Sequence, residues 1–297
     1  QLGGNGEPFF YKNVMEIIGI LKAAGCYCST NTNGTLLDRE TVDELIKMRF
    51  DDLRITTMAG TPDVYERTHP GISKKVFPNM KKNLLYLAER KRALGVQHPK
   101  ITLCFIVIRQ NFDNVYAFAE FAAEIGAERV LYRPVDDVEE PGLKNLIPTQ
   151  QQASSIKEQL KEVEPYLASK GVSHNIGYFR KVFRHKLDTT ALHRLIPCYY
   201  GWLAAVIDLD GTVYPCCRCY KSLGNVYEKS FSDIWHGESY RKFRKEALGI
   251  NTTKTTLSCC DCSNCVHHTA NLRVFKALHP IKARLNSLSE LSPAVSA

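Results

Sequence analysis

The sequence lacks any apolar run that approaches the roughly 20 residues of a membrane helix, which predicts a protein without a membrane span. Its basic runs, such as Lys81-Lys82 and Arg90-Lys91-Arg92, are not interleaved with aromatic residues and match no nucleic-acid module. We therefore interpret the net charge of +8 as solvated helix faces. Charged residues at 24% and hydrophobic residues at 44% are typical of a globular protein, which we expect in the cytoplasm with neither nucleic acid nor membrane as a partner.

Cysteine, in contrast, is abundant and concentrated in one part of the chain. Of the 11 cysteines, eight lie between Cys198 and Cys265. The other three, Cys26, Cys28 and Cys104, are best interpreted as small hydrophobic side chains, buried or half-buried. Because no secretory signal is visible, such a dense cluster favours a metal site over a disulfide framework.

Up to about residue 133, short apolar runs alternate with amphipathic helical patterns. This alternation predicts an α/β fold with a parallel sheet and helical crossovers. The run at 101–108 is β-branched and almost wholly apolar, as expected of a strand buried on both faces. Ligands of such sheets bind at the carboxyl ends of the strands. We predict strands at 27–30, 53–57, 101–108 and 130–133, and helices at 12–25, 38–48, 73–95 and 112–126.

Beyond Pro134 the alternation stops, which indicates a change in architecture. A polar helix is predicted at 148–170 and a strand at 172–178. We therefore divide the chain into a sheet domain at 1–147, a helical bridge at 148–196, a cysteine-rich domain at 197–275 and a tail at 276–297.

The cysteine-rich domain contains a predicted hairpin between Cys198 and Cys216. Asp210-Gly211 separates two short β runs, and a hairpin brings its outer ends together. With Cys262-x-x-Cys265, these two cysteines supply four thiolates, which suit either tetrahedral zinc or a [4Fe–4S] cluster. A zinc ribbon on Cys216-x-x-Cys219 and Cys259-x-x-Cys262 is an equal alternative on this segment alone. The adjacent His267-His268 is interpreted as a solvated pair.

Three stretches of the first part resemble, in the same order, the radical S-adenosylmethionine (SAM) enzymes. They are the turn Gly4-Asn5-Gly6-Glu7-Pro8, the strand end Thr32-Asn33-Gly34 and the segment ITTMAGTP at 55–62. The region from Cys198 to Cys265, with Gly211 between Cys198 and Cys216, resembles the C-terminal SPASM/twitch extension of that family. The short motifs LGN at 223–225 and FSDIW at 231–235 also resemble that extension.

The resemblance covers residues 1 to about 275. It implies a partial (β/α) TIM-like barrel, with its first strand missing, and a small cysteine-rich α+β SPASM/twitch domain. The family's cluster-binding motif, CxxxCxxC, occurs nowhere in the sequence. We therefore expect the motif and the first strand to precede Gln1, and we expect the given chain alone to be inactive.

The resemblance also assigns roles to individual residues. The glycine turn contacts the methionyl amino group, and the strand residue Thr56 (or Thr57) contacts the carboxylate or ribose. Asn111 lies near the ribose, while Ile108 and Tyr132 line the adenine. The implied cofactor-binding residues are Asn5, Gly6, Glu7, Asn33, Thr56, Ile108, Asn111 and Tyr132. The implied ligands of an auxiliary [4Fe–4S] cluster are Cys198, Cys216, Cys262 and Cys265.

The activity that the resemblance implies is an oxidoreductase-type radical reaction. A [4Fe–4S] cluster in the full-length protein cleaves SAM reductively, and the resulting 5′-deoxyadenosyl radical abstracts hydrogen from a peptide or small-metabolite substrate. The auxiliary cluster accepts an electron or anchors the substrate, and flavodoxin or ferredoxin donates electrons. The alternative is a non-catalytic zinc- or iron–sulfur-binding protein with a degenerate barrel.

Overall fold

The structure is a computed structural model in which the chain divides into two units. The first unit is Gln1–Arg180 and the second is Lys181–Ala297. The predicted boundary at residue 147 lies inside the first unit. The structure describes residues 1–3, 6–135, 143–184, 196–253, 257, 260, 262, 265 and 267–280.

The first unit contains a five-stranded sheet whose strands follow one another in sequence order. Every neighbouring pair in it is parallel, which confirms the predicted α/β fold. Leu2 makes a further parallel bridge to Thr30, so the chain ahead of the glycine turn runs alongside the first strand. The strands are β1 (Ser29–Thr32), β2 (Asp52–Thr56), β3 (Lys100–Val107), β4 (Arg129–Pro134) and β5 (Ser173–His174).

Helices connect these strands, as parallel pairing requires. Asp38 caps the helix after β1, because its carboxylate accepts a hydrogen bond from the Thr41 amide at 2.8 Å. Short 3-10 helices lie at Pro8–Phe10 and Leu143–Leu146. The α-helices are α1 (Val14–Ala23), α2 (Arg39–Lys47), α3 (Pro62–Thr68), α4 (Val76–Leu94), α5 (Val115–Glu124), α6 (Gln150–Ser169) and α7 (Ile176–Arg184).

The core of the first unit lies along β3. Leu103 and Phe105 are fully buried, as the apolar pattern predicted. The ring of Phe105 packs against Phe118 of α5 and Tyr132 of β4, with centroid distances of 4.6 and 5.8 Å. Burial of such large rings is the main source of stability in a sheet of this kind.

The predicted bridge at 148–196 is divided between the units: residues 148–180 belong to the first unit and the rest to the second. Gln159 of α6 accepts hydrogen bonds from the Val115 and Tyr116 amides and donates to the Phe112 carbonyl, so α6 packs along α5. The strand predicted at 172–178 is wrong beyond His174. Asn175 pairs with the backbone of Tyr132 through both its amide atoms, at 2.8 and 2.9 Å, and the chain then enters α7.

The second unit is built from a short hairpin and helices. Two-residue strands pair antiparallel, and Phe243 and Tyr240 are among the residues of the adjoining apolar core. Its elements are α8 (Tyr200–Leu203), β6 (Val206–Ile207), β7 (Val213–Tyr214), α9 (Phe231–His236), α10 (Glu238–Thr253) and α11 (His268–Leu278). Across the described part of the chain, no helix combines the length and apolarity needed to cross a membrane.

Candidate functional site

The glycine-rich turn is tied to the end of β1 through Glu7. One carboxylate oxygen accepts from the Thr32 hydroxyl at 2.7 Å and from the Phe9 amide at 3.2 Å. The other oxygen accepts from the Asn33 amide at 2.7 Å. Gly3 has φ +91°, and a Cβ there would lie 2.6 Å from the Pro8 ring, so the turn requires glycine at this position. Glu7 therefore fixes the geometry of the turn.

The other cofactor-binding residues predicted near this turn are Asn5, Gly6 and Asn33. Gly6 is exposed, with open space where a Cβ would stand, and Asn5 lies outside the described residues. Asn33 is exposed at the end of β1, where its side chain accepts from the Thr35 amide and hydroxyl at 2.9 and 2.7 Å. A cofactor role for these residues stays a prediction.

The loop after β2 is held by a hydrogen bond from Asn111, which lies in the loop after β3. Asn111 is fully buried and donates to the carbonyls of Met58 and Ile106, both at 2.9 Å. Its amide oxygen accepts from the Ile108 amide at 2.8 Å. Every polar atom of the Asn111 side chain thus has a partner within the fold, so this side chain shapes the two loops. Its predicted place near the ribose stays a prediction.

The remaining predicted cofactor residues lie on β2, after β3 and on β4. Thr56 is half-buried and pairs with Cys104 in the sheet, whereas Thr57 is fully buried and donates to the Ala59 carbonyl. Ile108 is 4% exposed, and Tyr132 is 1% exposed with its hydroxyl donating to the Val115 carbonyl. Because β1 to β4 are parallel, these positions lie toward the carboxyl ends of the strands, on the same side of the sheet as the glycine turn.

The second unit contains the predicted hairpin. Val206 pairs with Tyr214, and the turn between the strands closes when the Asp208 amide donates to the Thr212 carbonyl at 2.9 Å. Gly211 sits in this turn with φ +79°, and a Cβ there would lie 2.6 Å from the Asn225 amide oxygen. Glycine is therefore needed at the position that the cysteine spacing singles out.

The predicted ligand cysteines converge on one pocket of this unit. Cys198 and Cys216 come from the two sides of the hairpin, and Cys262 and Cys265 come from the segment before α11. Cys260 joins them, and its backbone forms an antiparallel β-bridge with that of the buried Cys219. The pocket is lined by Cys198, Tyr200, Cys216, Arg218, Phe243, Leu257, Cys260, Cys262, Cys265, His267 and Asn271. Cys259, a member of the zinc-ribbon alternative, lies outside the described residues.

Burial and mutual contact set the acidity of these thiols. Burial raises the pKa of Cys198 to about 11 and that of Cys265 to about 12. Contact between Cys260 and Cys216 raises the pKa of Cys260 and lowers the pKa of Cys216. Since thiolates are the metal-binding form, a metal must displace protons from these buried groups.

The donor chemistry of the pocket residues suits a metal or an iron–sulfur cluster. Thiolates are soft donors, which suit zinc or iron–sulfur clusters rather than calcium or magnesium. The Tyr240 hydroxyl beside the pocket is buried without a hydrogen-bond partner in the described part of the chain, and burial raises its pKa to about 12. Within that part, no group of three Cys, His, Asp or Glu side chains is arranged to hold a single metal ion.

Two residues near the thiols, His267 and Asn271, were not predicted as site residues. His267 is half-buried, which corrects its interpretation as solvated: its ring stacks on Tyr200 at 3.7 Å and its Nε2 lies 3.3 Å from Cys217 Sγ. Burial lowers the His267 pKa to about 4. Asn271 of α11 reaches Cys198 from 73 residues further along the chain. Of these residues, only His267 could have been found from the sequence, because it lies beside a cysteine pair.

Comparison with known proteins shows what these features are similar to. Residues 198–266 match the model of SPASM, the iron–sulfur cluster-binding domain. The tungsten-containing aldehyde ferredoxin oxidoreductase cofactor-modifying protein of Pyrococcus furiosus is 28% identical over 285 residues, covering 88% of this chain and 72% of the relative. The PqqA peptide cyclase of Ruegeria pomeroyi is 24% identical over 280 residues, covering 86% of this chain and 65% of the relative.

A solved structure shares the fold. SuiB of Streptococcus suis, in crystal structures with S-adenosylmethionine and with the precursor peptide SuiA, superposes with a TM-score of 0.56 at 16% identity. The match covers 91% of this chain and 61% of SuiB. The chain thus spans somewhat less than two thirds of SuiB and of the peptide cyclase, and more of the Pyrococcus protein. The sheet, the cysteine pocket and the domain match together confirm the resemblance of this chain to the radical SAM enzymes that carry a C-terminal SPASM domain.

Proposed function

We propose that the protein modifies a peptide substrate by radical SAM chemistry and holds an auxiliary [4Fe–4S] cluster on Cys198, Cys216, Cys262 and Cys265. The observation that carries the proposal is the convergence of these four thiols on one buried pocket. When bound, a reduced [4Fe–4S] cluster with SAM supplies the radical chemistry that removes hydrogen from a substrate. The auxiliary cluster is proposed to accept an electron or to anchor the peptide.

The first unit is proposed to bind SAM at the carboxyl edge of its sheet. Glu7 holds the glycine turn against β1, and Asn111 holds the loop after β2 against β3. Both side chains preorganise backbone groups that a zwitterionic methionyl end and a ribose can use. In this proposal Asn33 and Thr56 contact the cofactor from the strand ends, and Ile108 and Tyr132 support the adenine side.

A peptide substrate is favoured by what two similar proteins act on or bind. One is named as a peptide cyclase, and SuiB was crystallised with a precursor peptide. The name of the Pyrococcus relative, a cofactor-modifying protein, favours a second candidate, a small-molecule substrate in place of a peptide. We further propose a cytoplasmic protein that takes electrons from flavodoxin or ferredoxin.

Metal analysis tests the cluster site directly. The chain, purified without oxygen and reconstituted with iron and sulfide, is expected to hold iron and acid-labile sulfide in equal amounts, with broad absorbance that bleaches with dithionite. Cys198→Ala is expected to lose most of the iron. Cys26 is exposed and lies in the first unit, so the control variant Cys26→Ser is expected to keep it. Zinc without sulfide in the parent chain would contradict the proposal and favour a zinc-binding protein.

CxxxCxxC is absent from these 297 residues, so catalysis is tested on a chain that includes whatever the gene encodes ahead of Gln1. Anaerobic incubation with SAM and a reductant is expected to release 5′-deoxyadenosine. Peptides encoded beside the gene are expected to raise this release and to lose hydrogen, as measured by mass spectrometry. A loaded, reduced protein that releases no 5′-deoxyadenosine would contradict the enzymatic function.

A further inference from the structure

Asn271 lies on α11, beyond the region that matches the SPASM domain. That region ends at residue 266, and α11 begins at His268. Asn271 is only 6% exposed, an unusual degree of burial for an amide side chain. Such a buried amide needs hydrogen-bond partners for both of its ends.

The partners of Asn271 fix the orientation of its side chain. Its Oδ1 accepts a hydrogen bond from the Tyr199 backbone amide at 2.7 Å, and only the oxygen can accept from that N–H. The nitrogen end must therefore face the other way. There, Nδ2 donates toward Cys198 Sγ at 3.9 Å.

An apolar cluster holds α11 in the place that this contact requires. Leu272 and Phe275 of α11 pack with Ile196 and Tyr199, which flank Cys198 in the sequence. Leu272 and Phe275 are 3% and 5% exposed. The helix is thus anchored against the Cys198 segment by burial, and the amide of Asn271 is aimed by that packing.

Cys198 itself is held from several directions. Its backbone amide donates to the Ala247 carbonyl of α10 at 3.0 Å. Its sulfur is in hydrogen-bond contact with the Tyr200 backbone as well as with the Asn271 side chain.

We propose that Asn271 is a positioning residue of the auxiliary cluster site: it orients Cys198 and donates an N–H hydrogen bond to the sulfur of that ligand. The inference rests on the proposed function, since it requires a cluster at Cys198. Reduction adds negative charge to the cluster and its sulfur ligands, and a hydrogen bond to sulfur stabilises that charge. Asn271 therefore raises the reduction potential of the cluster.

Three variants of the full chain, reconstituted anaerobically, test this role. Asn271→Asp keeps an oxygen for the Tyr199 amide but replaces the donor with a charged acceptor, and Asn271→Leu removes both bonds. Leu272→Ala is the matched control, because it loosens the packing of α11 but keeps the Asn271 amide. The measurements are iron content and the midpoint potential from an EPR-monitored redox titration.

The expected result is a lower potential in both Asn271 variants and a clearly smaller change in Leu272→Ala. We expect the reduced-to-oxidised ratio at the parent's midpoint to fall about tenfold, which is about 59 mV for a one-electron couple. Loss of iron from both Asn271 variants, with full iron in Leu272→Ala, also supports the positioning role.

Two results would overturn the inference alone. One is an unchanged potential in Asn271 variants that hold full iron. The other is an equal change in Leu272→Ala, which assigns the effect to helix packing. A parent chain that binds zinc without sulfide would instead remove the cluster on which both the inference and the proposed function depend.

Discussion

The two units of the chain are stabilised by different means. The first unit has a parallel sheet with the aromatic core of Phe105, Phe118 and Tyr132, which needs no ligand to pack. The second unit has strands of only two residues, and cysteine side chains form part of its core and its margin. A hairpin that short is marginal in water, so the second unit depends on what its thiols bind.

Metal removal gives the largest effect that this comparison predicts. A chelator under oxidising conditions is expected to unfold the second unit and leave the first folded, because structural metal sites contribute on the order of 10 kcal/mol to folding. Hydrogen exchange is the measurement: amides of β7 and α10 are expected to lose protection, while those of β3 keep it. Equal protection of the β7 amides with and without metal would contradict the expectation that the second unit needs metal to fold.

Truncation of one buried phenylalanine in each unit sharpens the same contrast. Phe105→Ala is expected to lower the free energy of unfolding of the first unit by about 3–5 kcal/mol, with or without metal, because Phe105 is fully buried. Phe243→Ala, at 1% exposure in the second unit, is expected to show its cost only in the metal-loaded protein. Urea denaturation of both variants in both states measures this.

The outcome that contradicts this expectation is a metal-dependent cost for Phe105→Ala. It would mean that the first unit, too, is stabilised by the site of the second. A full cost for Phe243→Ala in the metal-free protein would show instead that the apolar core of the second unit folds unaided.

Local sequence signals predicted the first unit well where the cause was local. The apolar run at 101–108 became β3 (Lys100–Val107), and the helix predicted at 38–48 became α2 (Arg39–Lys47) with Asp38 as its cap. The strand predicted at 172–178 was cut short because Asn175 binds the backbone of Tyr132, a partner 43 residues away. Helix α3 was not predicted, although Pro62 at its first turn is a start signal.

The site shows the same limit. The Asp210-Gly211 turn predicted the hairpin, and the cysteines at its two ends and in Cys262-x-x-Cys265 indicated a shared site, because those signals lie within short segments. Asn271 carries no such signal: its contact with Cys198 spans 73 residues and depends on how α11 packs. Sequence patterns identify ligands by residue type and spacing, whereas the groups that orient those ligands are set by tertiary packing.

The smallest expected effect concerns the glycine turn of the first unit. Glu7→Gln keeps one acceptor oxygen but loses the charge that strengthens three hydrogen bonds, from Thr32, Asn33 and Phe9. Because Glu7 is only half-buried, we expect a loss of about 1 kcal/mol in the free energy of unfolding of the first unit. Glu16→Gln, an exposed change on α1, is the control and is expected to have no measurable effect.

The location of the effect matters more than its size. If Glu7 fixes the turn against β1, the Asn33 amide is expected to exchange faster in Glu7→Gln, while the amides of the second unit and the iron content stay as in the parent. SAM affinity, measured by calorimetry on the protein used in the catalytic test, is expected to fall because the turn is less well ordered. An Asn33 amide that exchanges as slowly as in Glu16→Gln would contradict a positioning role for Glu7, since the contact would then contribute nothing to the order of the turn.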